Sequence, residues 1–149
     1  SLPRLSVEAR TAGGARDTTY SDSVSLELAA APAGASITGL SRVRAVNGTA
    51  RFEDYRLTLA GTYRLRVTAP GLFPDTAAVL TIVPRAASAI ALASGGGQVA
   101  LPGAELAEPI VLRVTDGYGN GVAGVIVGFS VAVGSVSASA DTSDADGLV

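Results

Sequence analysis

Five residue types do not occur in this sequence: cysteine, methionine, tryptophan, histidine and lysine, so that all eleven basic residues are arginine. The absence of cysteine excludes disulfide bonds, and the absence of both cysteine and histidine removes the usual protein ligands of zinc and copper. Histidine-dependent triads, cysteine nucleophiles and Schiff-base lysines are excluded for the same reason. The composition therefore predicts a protein that is not an enzyme and that carries no cofactor of these kinds.

Charge is also scarce. Charged residues make up 16% of the chain, and the net charge is −2, so no global basic field would attract nucleic acid or anionic lipid. No apolar run is long enough to span a bilayer. Hydrophobic residues nevertheless reach 48%, which allows the 149 residues to bury a core as one domain or as two small ones. We predict no nucleic-acid partner and no membrane span.

Two pairs of acids, Glu53 with Asp54 and Glu105 with Glu108, are the candidates for the paired-carboxylate chemistry of glycoside hydrolysis. The first pair lies at a predicted strand end, and the second lies in a loop before Pro109. The chain has no tryptophan, so it is poorly suited to stacking against sugars. These acids are interpreted as loop residues.

Short apolar runs that alternate with polar residues occupy most of the chain. A period of two indicates strands with one buried face, and no window has an apolar stripe at helical spacing. The alternating runs are Leu5/Val7/Ala9, Val24/Leu26/Leu28, Val43/Ala45, Ala50/Phe52, Tyr63/Leu65/Val67 and Val79 with 80–82, followed by predicted strands at 86–94, 110–115, 125–131 and 134–138. The pattern predicts an all-β protein built of antiparallel β-sandwiches.

Two local features support this prediction. Asn47 and Gly48 separate two apolar runs, and both residue types tolerate the positive φ of a tight hairpin turn. Tyr63 follows a glycine-containing turn at the start of a strand, which is typical of a tyrosine corner, where the phenol bonds back to nearby backbone. The alternative is an ordinary core or surface tyrosine.

The chain divides near Pro84 and Arg85 into predicted domains 1–84 and 85–149. The three consecutive glycines 95–97 are interpreted as a kink in the first strand of the second domain, because no lysine follows them to bind a phosphate. The side chains expected in the cores of the two domains are Phe52, Tyr63, Leu65, Ile110, Leu112, Val127 and Phe129.

Residues 103–147 carry the clearest family signal. Its elements are Pro109-Ile110-Val111, Val114 to Asp116, Tyr118-Gly119-Asn120-Gly121-Val122, Val127 to Phe129 and Asp144-Ala145-Asp146-Gly147. In order and spacing they resemble the group-one bacterial immunoglobulin-like domain, the repeating module of invasin- and intimin-type adhesins. Residues 23–84 are similar to immunoglobulin-like repeats of long bacterial surface proteins, through residues 45–52 and 60–63. The resemblance implies tandem immunoglobulin-like antiparallel β-sandwiches.

The resemblance also predicts where each domain begins and ends. Domain 1–84 would begin at its second strand, with residues 3–9, and domain 85–149 would lack its C-terminal strands. Incomplete sandwiches expose apolar faces and open edges. Either strands of neighbouring subunits complete them by β-strand addition, or these residues are a window of a longer repeat polypeptide.

Two turns contain candidate ligands for a metal. Asp141, Asp144 and Asp146 precede Gly147 in an acidic segment that resembles a calcium loop, because calcium binds clustered oxygen atoms. No terminal glutamate follows in phase, and the alternative is a turn in which aspartates bond their own backbone. The second turn runs from Asp116 to Gly121, where Gly119, Asn120 and Gly121 would supply positive φ and Asp116 would cap the backbone.

The function implied by the resemblance is non-enzymatic and mechanical: a repeat module of an extracellular adhesin or filament on a bacterial cell surface, with copies of itself or neighbouring modules as partners. The alternative is an accessory ligand- or carbohydrate-binding module of a secreted enzyme or receptor. The alternating arginines, namely Arg42/Arg44, Arg51 and Arg64/Arg66, are interpreted as solvated strand faces that limit aggregation, or as a positive stripe for a polyanion or an acidic neighbouring module.

Overall fold

The computed structural model describes residues 4–149, apart from the side chains of Ala77 and Ala78. The predicted strand at residues 3–9 therefore begins outside the described residues. The described chain is all-β, its strands pair in antiparallel sheets, and it contains no helix. It forms two compact units, one ending at Val83 and the other running from Pro84 to Val149.

The first unit contains eight of the described strands. They are β1 (Leu5–Glu8), β2 (Ser23–Ala30), β3 (Thr38–Gly39), β4 (Arg42–Arg44), β5 (Thr49–Phe52), β6 (Tyr55–Arg56), β7 (Gly61–Thr68) and β8 (Asp75–Ile82). A four-stranded sheet has the order β4-β2-β7-β8, and two smaller sheets pair β1 with β5 and β3 with β6.

Strand alternation gives each sheet an inner apolar face. Residues directly opposite one another on paired strands share a face, so Val24 pairs with Val43 and Leu28 with Leu65 on the inner side of the large sheet. Both layers contribute to one buried cluster: Val24, Leu26, Ala45, Ala50, Phe52, Tyr55, Leu65 and Val67. Tyr63, Phe52 and Leu65 are the largest fully buried side chains. Burial of each stabilises the fold by about 1.5–3 kcal/mol.

The turn between β4 and β5 lies at Asn47 and Gly48. Their φ angles are 50° and 74°, and the hairpin closes through Val46 N–H to Thr49 O at 2.9 Å and the reciprocal bond at 3.0 Å. Gly48 is buried, and its N–H donates to Tyr20 O at 3.1 Å. A Cβ at this position would collide with the carbonyl oxygen of Asp17. Glycine is therefore required both by φ and by space.

The second unit contains four described strands: β9 (Ala89–Ser94), β10 (Val111–Thr115), β11 (Ile126–Gly128) and β12 (Ala140–Thr142). β9 pairs with β10, and β11 pairs with β12. The strand predicted at 134–138 is wrong, because those residues are irregular and exposed, and the partner of β11 is β12.

The buried centre of the second unit is small. Val114 is its one buried hydrophobic side chain among the described residues, and Leu112, Val127 and Phe129 are half-buried. The prediction that Ile110 belongs to the core is wrong, since Ile110 is 43% exposed. It precedes β10, and the register shifts between Val111 and Leu112, so the alternation does not extend back to it.

Candidate functional site

The turn from Asp116 to Gly121 is organised around one buried carboxylate. Asp116 Oδ1 accepts the backbone N–H groups of Tyr118 at 2.8 Å and Asn120 at 3.0 Å. Asp116 Oδ2 accepts the side-chain amide of Asn120 at 3.0 Å and the backbone N–H of Arg85 at 2.9 Å. Asp116 and Asn120 are both buried. The carboxylate is thus held by donors from its own turn and from the first residues of the unit.

Burial alone would raise the pKa of Asp116. Hydrogen bonds from the Asn120 amide and from the N–H groups of Arg85, Tyr118 and Asn120 outweigh that effect and lower the pKa from 3.8 to about 2, because each donor stabilises the charged form. The guanidinium of Arg85 also lies 5.1 Å from the ring centroid of Tyr118, within the range of a cation–π contact. Both interactions connect the start of the unit to the turn after β10.

The roles predicted for the other turn residues are partly corrected. Gly119 has φ 83°, as its position in a tight turn requires, but neither Asn120 nor Gly121 has a positive φ. Asn120 acts through its side-chain bond to Asp116. Gly121 is needed for space, because a Cβ there would collide with the carbonyl oxygen of Asp146.

The three aspartates predicted as calcium ligands do not lie in one turn. Asp141 is in β12 opposite Val127, and its carboxylate accepts the N–H of Thr142. Asp144 Oδ1 accepts the N–H groups of Asp146 at 2.9 Å and Leu148 at 2.8 Å. Within residues 4–149 no three acids gather into a group able to hold a metal. The arrangement fits a backbone-capping turn at Asp144, and calcium binding stays an untested prediction.

Ser143 is a buried residue that the sequence analysis did not single out. Its hydroxyl donates to Val122 O at 2.7 Å and accepts the N–H of Val125 at 2.9 Å. It therefore joins the chain before β11 to the end of β12. A single serine in a polar stretch has no distinguishing pattern, so its two long-range bonds had no sequence signal.

The paired acids of the two loops take no part in these networks. Glu53 and Asp54 are exposed between β5 and β6, and Glu105 and Glu108 are exposed before β10. The backbone of Glu108 forms two hydrogen bonds with the Gln98 side chain, at 2.8 and 2.9 Å. Gln98 thus fixes the loop through the main chain and leaves the Glu108 carboxylate out of it.

An apolar surface lies beside these turns. A groove of about 380 Å³ lies between the start of β9 and β11, lined by Ala87, Ser88, Ala89, Ile90, Val114, Val125, Ile126 and Val127. All six residues of β9 are exposed. One face of the β9–β10 pair is apolar: Leu92 lies directly opposite Leu112, and Ile90 lies directly opposite Val114. Only part of this face is covered within the described chain.

The edge strands of the two units differ in charge. In the first unit, β4 carries two arginines, β1 carries Glu8, and β8 begins with Asp75. In the second unit, β9 contains only alanine, isoleucine, leucine and serine. Charged residues on edge strands oppose pairing with other chains. β9, which pairs in the described chain with β10 alone, lacks this protection.

Comparison with protein-family models, with curated proteins and with solved structures finds no match for this chain. Since the part of the chain that the structure describes holds no helix, it also holds no helical segment that could span a bilayer.

Proposed function

We propose that this chain is a non-enzymatic structural module of an extracellular bacterial surface protein or filament, and that its two units are tandem immunoglobulin-like sandwiches. The second unit would be completed by a strand from a neighbouring subunit or module. The first unit, with its fully buried Phe52, Tyr63 and Leu65, would serve as a rigid spacer. The sequence resemblance and the all-β architecture support this proposal.

The observation that carries the proposal is the state of β9. This strand is uncharged, exposed along its whole length and paired on one side within the described chain. An added strand would satisfy the main-chain groups of its open edge and would cover Ile90 and Leu92. Backbone hydrogen bonds would supply the affinity, and the alternating apolar side chains would set the register.

The test compares two lysine substitutions in the full chain. Leu92→Lys places a charge on β9, where the side chain is 55% exposed, and Val79→Lys is the matched control on β8, where the side chain is 61% exposed. We expect the unsubstituted chain and Val79→Lys to self-associate with rising concentration in sedimentation velocity, and Leu92→Lys to remain monomeric. Electron micrographs of the same samples would show filaments for the first two.

Circular dichroism of each variant checks that the fold is retained, which is expected because both side chains already contact solvent. Equal association of Leu92→Lys and the unsubstituted chain would contradict a role for β9. A chain of 14.8 kDa that stays monomeric at every concentration would contradict completion by a second copy.

A further inference from the structure

Three arginine side chains converge on a cleft in the first unit. Arg16, Arg44 and Arg51 line it together with Val43, Val46, Asn47 and Thr49, and its volume is about 410 Å³. Small-molecule sites have volumes of roughly 300–1,000 Å³. The cleft lies beside the Asn47 turn, where β4 joins the four-stranded sheet and β5 joins the other layer.

The cleft has a positive charge that its own lining residues do not balance. No acid lines it, and Glu8, which lies opposite the cleft residue Thr49, is already paired with Arg10 at 3.2 Å. Guanidinium groups stay charged at any physiological pH, and like charges held close together repel. Nine of the eleven arginines, but seven of the thirteen acids, belong to residues 1–83. A bound anion would remove the repulsion.

One of the three arginines is anchored by a hydrogen bond before any ligand arrives. Arg44 Nε donates to the carbonyl of Ser21 at 2.8 Å, which leaves the two terminal nitrogens of its guanidinium for a ligand. Arg16 is exposed and lies near Gly48. Arg51 is on the outer face of β5, opposite Ser6. Such preorganisation lowers the entropy lost on binding.

We propose that this cleft binds a tetrahedral oxyanion, the phosphate or sulfate ester group of a small molecule or glycan. The planar fork of arginine donates paired hydrogen bonds to such oxygens, and three forks suit a group with more than one negative charge. Val43 and Val46 supply an apolar wall for the body of the ligand. This site does not depend on the structural role proposed above, because it belongs to the first unit, whereas β9 belongs to the second.

The experiment uses the full chain with pyrophosphate, inorganic sulfate and a heparin-derived hexasaccharide as probes, and citrate as a carboxylate control. Binding is measured by calorimetry, and NMR amide shifts locate the site. We expect saturable binding of at least one tetrahedral probe, with shifts centred on residues 44–51. Arg51→Gln should weaken it by at least about tenfold, because a charge-assisted, paired contact is lost.

Arg64→Gln is the matched control. Arg64 is exposed on the outer face of β7 and does not line the cleft, so its replacement should change affinity by less than about twofold, which is the general effect of one screened charge. Stronger binding of pyrophosphate would assign the site to phosphate esters, and stronger binding of the hexasaccharide would assign it to sulfated glycans. Either result supports the proposal.

Three results would overturn it. The first is no saturable binding of any tetrahedral probe at millimolar concentration. The second is an equal loss on replacing Arg51 and Arg64, which would mean a diffuse positive field. The third is binding of citrate as tight as that of the tetrahedral probes. Unchanged thermal midpoints of both variants are expected, because neither side chain is buried, and they establish that a loss of binding is not a loss of folding.

Discussion

The carboxylate of Asp116 accepts the backbone N–H of Arg85 at 2.9 Å, across 31 positions of the sequence. The same carboxylate closes the turn after β10. One buried charge therefore ties the start of the second unit to the turn after β10. Because the apolar centre of this unit is small, buried polar contacts of this kind have a large share in holding it together.

Acid should weaken the second unit through Asp116. Its pKa is about 2 in the folded chain, against an ordinary value of 3.8, so its contribution is complete above pH 3.8 and is lost as the pH falls toward 2. The shift corresponds to about 2 kcal/mol. Urea denaturation at pH 5, 3 and 2, followed by NMR signals of the second unit, measures it. Asp116→Asn should be less stable than the unsubstituted chain at pH 5 and should lose less stability than it does between pH 5 and pH 2. An equal loss of stability in both chains over this pH range would contradict this role.

Replacement of Tyr63 by phenylalanine should destabilise the first unit. The Tyr63 hydroxyl donates to Leu59 O at 2.8 Å from a fully buried ring, and removal of the donor leaves a carbonyl without its partner, at a cost of about 1–2 kcal/mol. Tyr20→Phe is the control, since its hydroxyl bonds to Pro70 O at 3.0 Å in a solvent-exposed setting. We expect the loss there to be smaller. Urea midpoints of the two variants compare the effects, and equal losses would argue against the corner.

Glycine-to-alanine substitutions separate backbone strain from collision. Gly34 and Gly48 have φ of 79° and 74°, so alanine at either position costs about 1 kcal/mol in conformation. At Gly48 the new Cβ would also collide with the carbonyl oxygen of Asp17. At Gly34 no atom lies within 4 Å of the position that the new Cβ would take. We expect Gly48→Ala to lower the thermal midpoint far more than Gly34→Ala. A similar drop in thermal midpoint for both variants would mean that the loop around Asp17 moves to accommodate the new Cβ.

Ser143→Ala should destabilise the second unit by about 1–2 kcal/mol, because it leaves one half-buried backbone donor and one half-buried acceptor without their partner. Ser143 is buried and forms bonds to Val122 and Val125. Ser137, which is exposed, is the control, and its replacement by alanine should change stability by no more than about 0.5 kcal/mol. Hydrogen exchange of the β11 amides reports the difference. Unchanged exchange in Ser143→Ala would show that water replaces the hydroxyl.

Sequence alternation predicted which side chains share a strand face, but it did not predict whether a face is covered. Tyr63 and Leu65 alternate as Ile90 and Leu92 do; the first two are fully buried and the second two are exposed. The difference is whether a second layer of the protein packs on that face, and the local alternation carries no information about a second layer. The same limit applies to Asp116: its turn was predictable from Gly119 and Asn120, whereas its bond to Arg85 depends on a distant segment.

The most direct test of the proposed role is amide hydrogen exchange of β9 in dilute and in concentrated samples of the full chain. We expect exchange across Ala89–Ser94 to slow with concentration, because a neighbouring strand would take up the open main-chain groups, while exchange in the first unit stays unchanged. Equal exchange of β9 at all concentrations, in a sample whose mass stays that of one chain, would contradict completion of the second unit by a neighbouring copy.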